Sequence, residues 1–251
     1  MNDITYVSTS IAEDNGIRAL VDVAVVARGT DYRVIGGHMV QLLALRFPTP
    51  NARPRGTTDA DAGLGNPQVT GPAIRRRLLE LGYEAQHGNS YVLGAQAIDL
   101  LVTGDSSGEP VEVENRSYDV APGLLLAINT APMVVAVAAL TTTGEEFACD
   151  VQIPPVECAL ILKALVFRVR HEAKDLVDVQ TLLEIVMEHR SALDWRMSEP
   201  DLRGARLDAA RELYALLPML DRGTGISSAV DVDADRLAAL IRYLVRNPAT
   251  A

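Results

Sequence analysis

Apolar residues recur at helical spacing from Ile11 to Ala27, and Gly29 ends that run. Tyr32–Ile35 reads as a short strand that closes on Gly36-Gly37. Met39, Leu42, Leu43 and Leu45 then carry a helix over His38–Arg46. Phe47–Gly56 is a proline-rich loop, Thr58–Gly63 a strand, and Pro72–Leu81 a helix bearing Arg75-Arg76-Arg77. Strands are predicted over Ser90–Leu93, Ala97–Val102, Val111–Asn115 and Glu146–Ile153. Between Asp119 and Glu145 the chain has no charge. A membrane helix needs about 20 continuous apolar residues, and Pro122, Gly123, Asn129, Thr130 and Pro132 interrupt this stretch. Two buried strands, Leu124–Ile128 and Val134–Ala138, joined by a turn, are the expectation there. From Val156 the period is helical in Glu157–Val169, Lys174–Glu188, Leu202–Leu217 and Ala234–Val245. The fold class is therefore α+β, a mixed α/β half over 1–154 followed by an all-helical half over 155–251, with Pro154-Pro155 as the joint.

A chain of 251 residues that is 48% hydrophobic can bury a sizeable core. Its formal net charge of −10 argues against indiscriminate nucleic-acid binding over the whole surface. A locally basic cleft is still compatible with that total. Cys149 and Cys158 match no metal-ligand spacing and are too few for a disulfide framework. Met1–Glu13 carries Asp3 and Glu13 and lacks the apolar core of a secretory signal. A cytoplasmic protein with no membrane partner is the expectation.

The chemistry concentrates in Ile35-Gly36-Gly37-His38 and Arg55-Gly56-Thr57-Thr58-Asp59-Ala60-Asp61. A diglycine at a strand-to-helix junction lets backbone approach a ligand, and a helix N-terminus offers free N–H groups to phosphate. Asp-x-Asp on a strand puts Asp59 and Asp61 on one face, where two like charges repel unless a cation or water separates them. An oxygen-only pair suits Mg²⁺, which takes one or two carboxylates plus substrate phosphates. Asp99 interrupts an apolar strand and stands where a third metal carboxylate would be needed, or simply faces solvent. Glu112 and Glu114 alternate with Val111 and Val113, as on a solvated face. Lys163, alone in an apolar helix, either snorkels or faces an anion. Lys174 and Asp178, four apart, read as a helical ion pair. From Tyr32 to Thr58 there are four arginines (Arg33, Arg46, Arg53, Arg55) and no acid, which makes a basic rim for the proposed cleft.

Gly36-Gly37, Arg55-x-Thr57-x-Asp59-x-Asp61 and Glu157-x5-Lys163-Ala-Leu-x2-Arg168…Lys174-Asp175-Leu-x-Asp178 resemble the AbiEii/AbiGii nucleotidyltransferase family. That family includes toxins of bacterial toxin–antitoxin systems, among them the MenT type. The resemblance implies a polymerase-β-type nucleotidyltransferase core with an appended helical domain. It also implies that Gly36, Gly37, Arg55 and Thr57 bind the nucleotide and that Asp59 and Asp61 bind metal. Lys163 and Asp178 fall at the family's later essential Lys and Asp. In the MenT branch the implied reaction moves a nucleoside monophosphate from an NTP to a tRNA 3′ end, and a cognate antitoxin is the implied protein partner.

Two Mg²⁺ ions would clamp the attacking and leaving oxygens in such chemistry. Asp59 and Asp61 are assigned to both ions, Asp99 to the ion nearest the attacking hydroxyl, and Lys163 to the leaving pyrophosphate as well as to nucleotide binding. Two alternatives share these residues: a small-molecule, antibiotic-type nucleotidyltransferase, and a non-catalytic scaffold for a partner protein.

Overall fold

The computed structural model describes residues 4–52, 55–104, 109–222 and 232–250. The chain divides into two compact units, one of Met1–Arg46 with Arg55–Pro155, the other of Phe47–Pro54 with Val156–Ala251.

The first unit opens with β1 (Ile4–Val7), α1 (Ile11–Val26), β2 (Tyr32–Ile35) and α2 (Gly36–Arg46), followed by β3 (Asp59–Leu64) and α3 (Pro67–Glu80). Next come β4 (Glu84–Ala85), β5 (Ser90–Leu93), β6 (Gln96–Val102), β7 (Val111–Val113), β8 (Arg116–Tyr118), α4 (Leu124–Asn129), β9 (Met133–Leu140) and β10 (Glu146–Ile153). Its main sheet runs β2-β3-β6-β5-β4. Only the β3–β6 pair in it is parallel, and a parallel pair requires a crossover, which includes α3. A three-stranded sheet runs β1-β9-β10, with β1 parallel to β9.

Side chains alternate across β3 and β6. Ala60, Ala62, Ile98 and Leu100 are buried, whereas Asp59, Asp61 and Asp99 are half-buried on the opposite face. Helix α1 packs against β3 and β6 and carries Ile17, Leu20 and Val23 into the core. Ser10 caps it by accepting from the Glu13 amide (3.2 Å), and Glu13 accepts from the Thr9 amide and hydroxyl (both 2.6 Å).

The segment Leu124–Asn129, expected to be a strand, is the helix α4. A short apolar run has no period that separates strand from helix. Here Leu124 and Ala127, three apart, are buried while Leu125 is exposed, which is a helical pattern. Leu124 covers Gly63, where a Cβ would come within 2.4 Å of its methyl group. Arg33 completes the end of the helix by donating to the Ile128 and Thr130 carbonyls (2.8 and 2.9 Å). Helix α3 starts at Pro67, earlier than expected, and tolerates Pro72 inside. Gln68, four residues before Pro72, is exposed, so the carbonyl that loses its partner can be hydrated.

The second unit is helical: α5 (Val156–Arg170), α6 (Ala173–His189), α7 (Ala205–Arg222) and α8 (Ala234–Leu244). Helix α5 is apolar nearly all round and packs against α6 and α7, while α8 packs against α6 and α7. Buried charges are paired within this bundle. Glu184 takes a two-pronged contact from Arg236 (2.8 and 2.7 Å), and Glu157 accepts from Arg206 (2.7 Å) and from the Arg196 amide. Among the described residues, no helix is long and apolar enough to cross a membrane.

Candidate active site

The site is built on register. Asp61 of β3 lies directly opposite Asp99 of the parallel strand β6, and Asp59 stands two residues earlier on the same face. Each of the three carboxylates offers an oxygen, and these oxygens all lie within 4.8 Å of one another. An octahedral Mg²⁺ with bonds of about 2.1 Å wants ligand oxygens roughly 3–4 Å apart, a spacing that small carboxylate rotations reach. The donors are all hard oxygens, and three negative charges so close favour a cation between them. Asp59, Asp61 and Asp99 can therefore hold a divalent metal.

Helix α2 begins against this cluster. Strand β2 is antiparallel to β3, with Ile35 opposite Asp61, so the next residue, Gly36, arrives beside the Asp61 carboxylate. Its φ is +67°, and a Cβ there would lie 1.8 Å from Asp61 Oδ2. Glycine is required both by backbone conformation and by space. At Gly37 a Cβ would lie 2.7 Å from Thr57 Oγ1 and 3.4 Å from the Arg55 guanidinium. The helix start, the Arg55–Thr57 loop and the carboxylates thus share one small region. The Thr57 hydroxyl donates to Asp59 Oδ1 (3.0 Å).

Two side chains at this region escape a reading by motif. Ser90 on β5 is opposite Asp99 on β6, and its hydroxyl donates to Asp99 Oδ1. Its signal lies in strand pairing, which local sequence does not print. His38 is fully buried, and its Nε2–H donates to the Gly16 carbonyl (3.0 Å). Burial pushes its pKa down to about 4, against the opposing pull of that carbonyl. A polar residue directly after the diglycine was the available clue.

The remaining expectations divide. Glu112 and Glu114 are exposed, on and beside the separate β7–β8 ribbon. Arg33 is not a rim residue: it is buried and bound to backbone carbonyls and Asp31, because the end of α4 needs donors. Arg46 and Arg55 are half-buried, and Arg53 lies outside the described residues. The arginine run on α3 also splits, with Arg77 donating to the Val26 and Arg28 carbonyls (2.6 and 3.2 Å) at the end of α1.

In the second unit, Lys163 is buried and its ammonium lies 2.7 Å from Asp178 and 3.3 Å from Asp175. The expected Lys174–Asp178 pair does not form. Asp178 points inward, whereas Lys174 is half-exposed and pairs with Glu172 (2.6 Å).

No protein-family model matches the chain, and no curated protein matches it. Solved structures similar to it include the antibiotic-resistance factor ANT(2″)-Ia, 9% identical, covering 84% of this chain and 97% of that one at a TM-score of 0.41. JHP933 from Helicobacter pylori is 13% identical, covering 94% of this chain and 93% of that one at a TM-score of 0.45.

Proposed function

We propose that the protein is a metal-dependent nucleotidyltransferase that moves a nucleoside monophosphate from an NTP to an acceptor hydroxyl. The observation that carries this reading is the pairing of Asp61 with Asp99, with Asp59 beside them, against the glycine start of α2. Backbone N–H groups at Gly36 and Gly37, with the Arg55 guanidinium and the Thr57 hydroxyl, would receive the triphosphate. Mg²⁺ held by Asp59, Asp61 and Asp99 would neutralise phosphate charge and acidify the attacking hydroxyl. As the acceptor oxygen bonds to the α-phosphorus, the bond from that phosphorus to pyrophosphate breaks. The hydroxyl proton passes to Asp99 or to water beside it.

The finer reading is that the acceptor is a tRNA 3′ end, within a toxin–antitoxin pair located in the cytoplasm. It rests on the resemblance of Arg55-x-Thr57-x-Asp59-x-Asp61 and of the Lys163…Asp178 motif, in which Lys163 and Asp178 fall at the family's later essential Lys and Asp. The test incubates purified protein with Mg²⁺, each labelled NTP in turn, and total tRNA. Label is expected in tRNA with at least one NTP, and Asp61→Asn is expected to reduce its rate by at least ~10²-fold, as for loss of a principal charge stabiliser. Label on an added small cationic antibiotic instead would replace the tRNA reading. No transfer and no NTP binding by calorimetry would discard the enzyme reading.

A further inference from the structure

The β5–β6 pairing places Ser90 opposite Asp99, and the Ser90 hydroxyl donates to Asp99 Oδ1. Ser90 itself is firmly held. Its carbonyl accepts from the Gln86 amide (2.9 Å) and from the Arg116 guanidinium (3.2 Å), which also donates to the Gln86 carbonyl (2.8 Å). Arg116 lies over the buried Tyr91 ring, 4.8 Å from its centroid. The Asn89 carbonyl accepts from the Leu100 amide (3.0 Å), which ties the turn before β5 to the strand carrying Asp99. A donor fixed this way restricts rotation of the Asp99 carboxylate and leaves its other oxygen for a cation. The Thr57 hydroxyl does the same for Asp59 Oδ1 (3.0 Å), so a hydroxyl holds each carboxylate that flanks Asp61 in the cluster.

We propose that Ser90 is a positioning residue that orients Asp99 for metal binding, an inference that rests on Asp59, Asp61 and Asp99 being a metal site. Groups that hydrogen-bond a ligating side chain typically change metal affinity 10- to 100-fold when lost. The experiment titrates Mn²⁺ alone into the full chain and follows free Mn²⁺ by electron paramagnetic resonance, for wild type, Ser90→Ala, Ser90→Thr and Asp99→Asn. Ser90→Ala is expected to weaken Mn²⁺ binding about 10-fold or more. Ser90→Thr, which keeps the hydroxyl on a strand, restores it, and the metal-free melting temperature of Ser90→Ala stays at the wild-type value. If alanine disturbs the strand pair, Ser90→Val, the hydroxyl-free isostere of Ser90→Thr, provides the same contrast. Wild-type affinity in Ser90→Ala, with binding lost in Asp99→Asn, overturns the role of Ser90 and keeps the metal site. Ser90→Thr as weak as Ser90→Ala also overturns it, because the hydroxyl is then not the operative group. A wild-type chain that binds no Mn²⁺ overturns the metal site itself, and this proposal with it.

Discussion

His38, in α2 two residues beyond Gly36, is fully buried and meets Tyr6 of β1 edge-on with ring centroids 6.2 Å apart. Its Nε2–H serves Gly16, whose own lack of a side chain lets the Thr57 carbonyl come within 2.4 Å of where a Cβ would be. The imidazole thus supports the segment that leads into Asp59. In the folded chain its pKa is about 4, whereas an unfolded histidine titrates near 6.5. Below about pH 6.5 the unfolded chain takes up a proton that the folded one refuses, so stability falls as pH drops toward 4 and this contribution levels off below it. At pH 5 the loss amounts to about 2 kcal/mol. In urea denaturation, wild type is expected to lose that much more stability between pH 7.5 and pH 5 than His38→Gln, whose amide can still donate to Gly16. Equal pH dependence in the two proteins would contradict a neutral, buried His38.

At the scale of elements, side chains oppose one another for reasons that their own segments conceal. Asp59, Asp61 and the diglycine were legible because strand alternation and a strand-to-helix glycine pair are local patterns. Asp99 stood out as a charge in an apolar strand, but its register opposite Asp61, the capping of α4 by Arg33 and the contact of Ser90 with Asp99 depend on pairing between distant segments, which periodicity does not encode. The same holds for β1, a four-residue strand whose parallel partner is β9, more than a hundred residues away. Helix α5 shows how charge is settled at this scale. Lys163 is compensated by Asp175 and Asp178 on the neighbouring α6, so removing the cation alone leaves two buried carboxylates without its charge. Breaking one side of a buried ion pair costs about 3–5 kcal/mol. Lys163→Met is expected to destabilise the chain by about that much in urea, and adding Asp175→Asn and Asp178→Asn should recover most of it. A triple variant no more stable than Lys163→Met would mean that the carboxylates are not what makes the lysine necessary. Any activity loss in Lys163 variants has to be read beside this stability change.

At the scale of the whole molecule, chain order and compact unit do not coincide. The change in periodicity and the paired prolines predict a joint at Pro154-Pro155. The assignment of Phe47–Pro54 to the helical unit is not, because that loop lies more than a hundred residues before the helices it joins. Phe47 is buried, its ring 5.6 Å from that of His189 at the end of α6, and His189 Nε2–H donates to the Pro48 carbonyl (2.8 Å). A substitution at Phe47 should therefore have opposite consequences in two contexts. In the full chain, Phe47→Ser empties a packed aromatic site, and a loss of about 3 kcal/mol or more is expected in denaturant unfolding. In a chain shortened to Met1–Pro155, Phe47 has no helical unit to pack on and becomes exposed apolar surface, which favours aggregation. There Phe47→Ser should raise the soluble fraction and leave the unfolding midpoint unchanged. A comparable loss of stability in both contexts would show that Phe47 packs with the first unit, and that the boundary follows the chain after all.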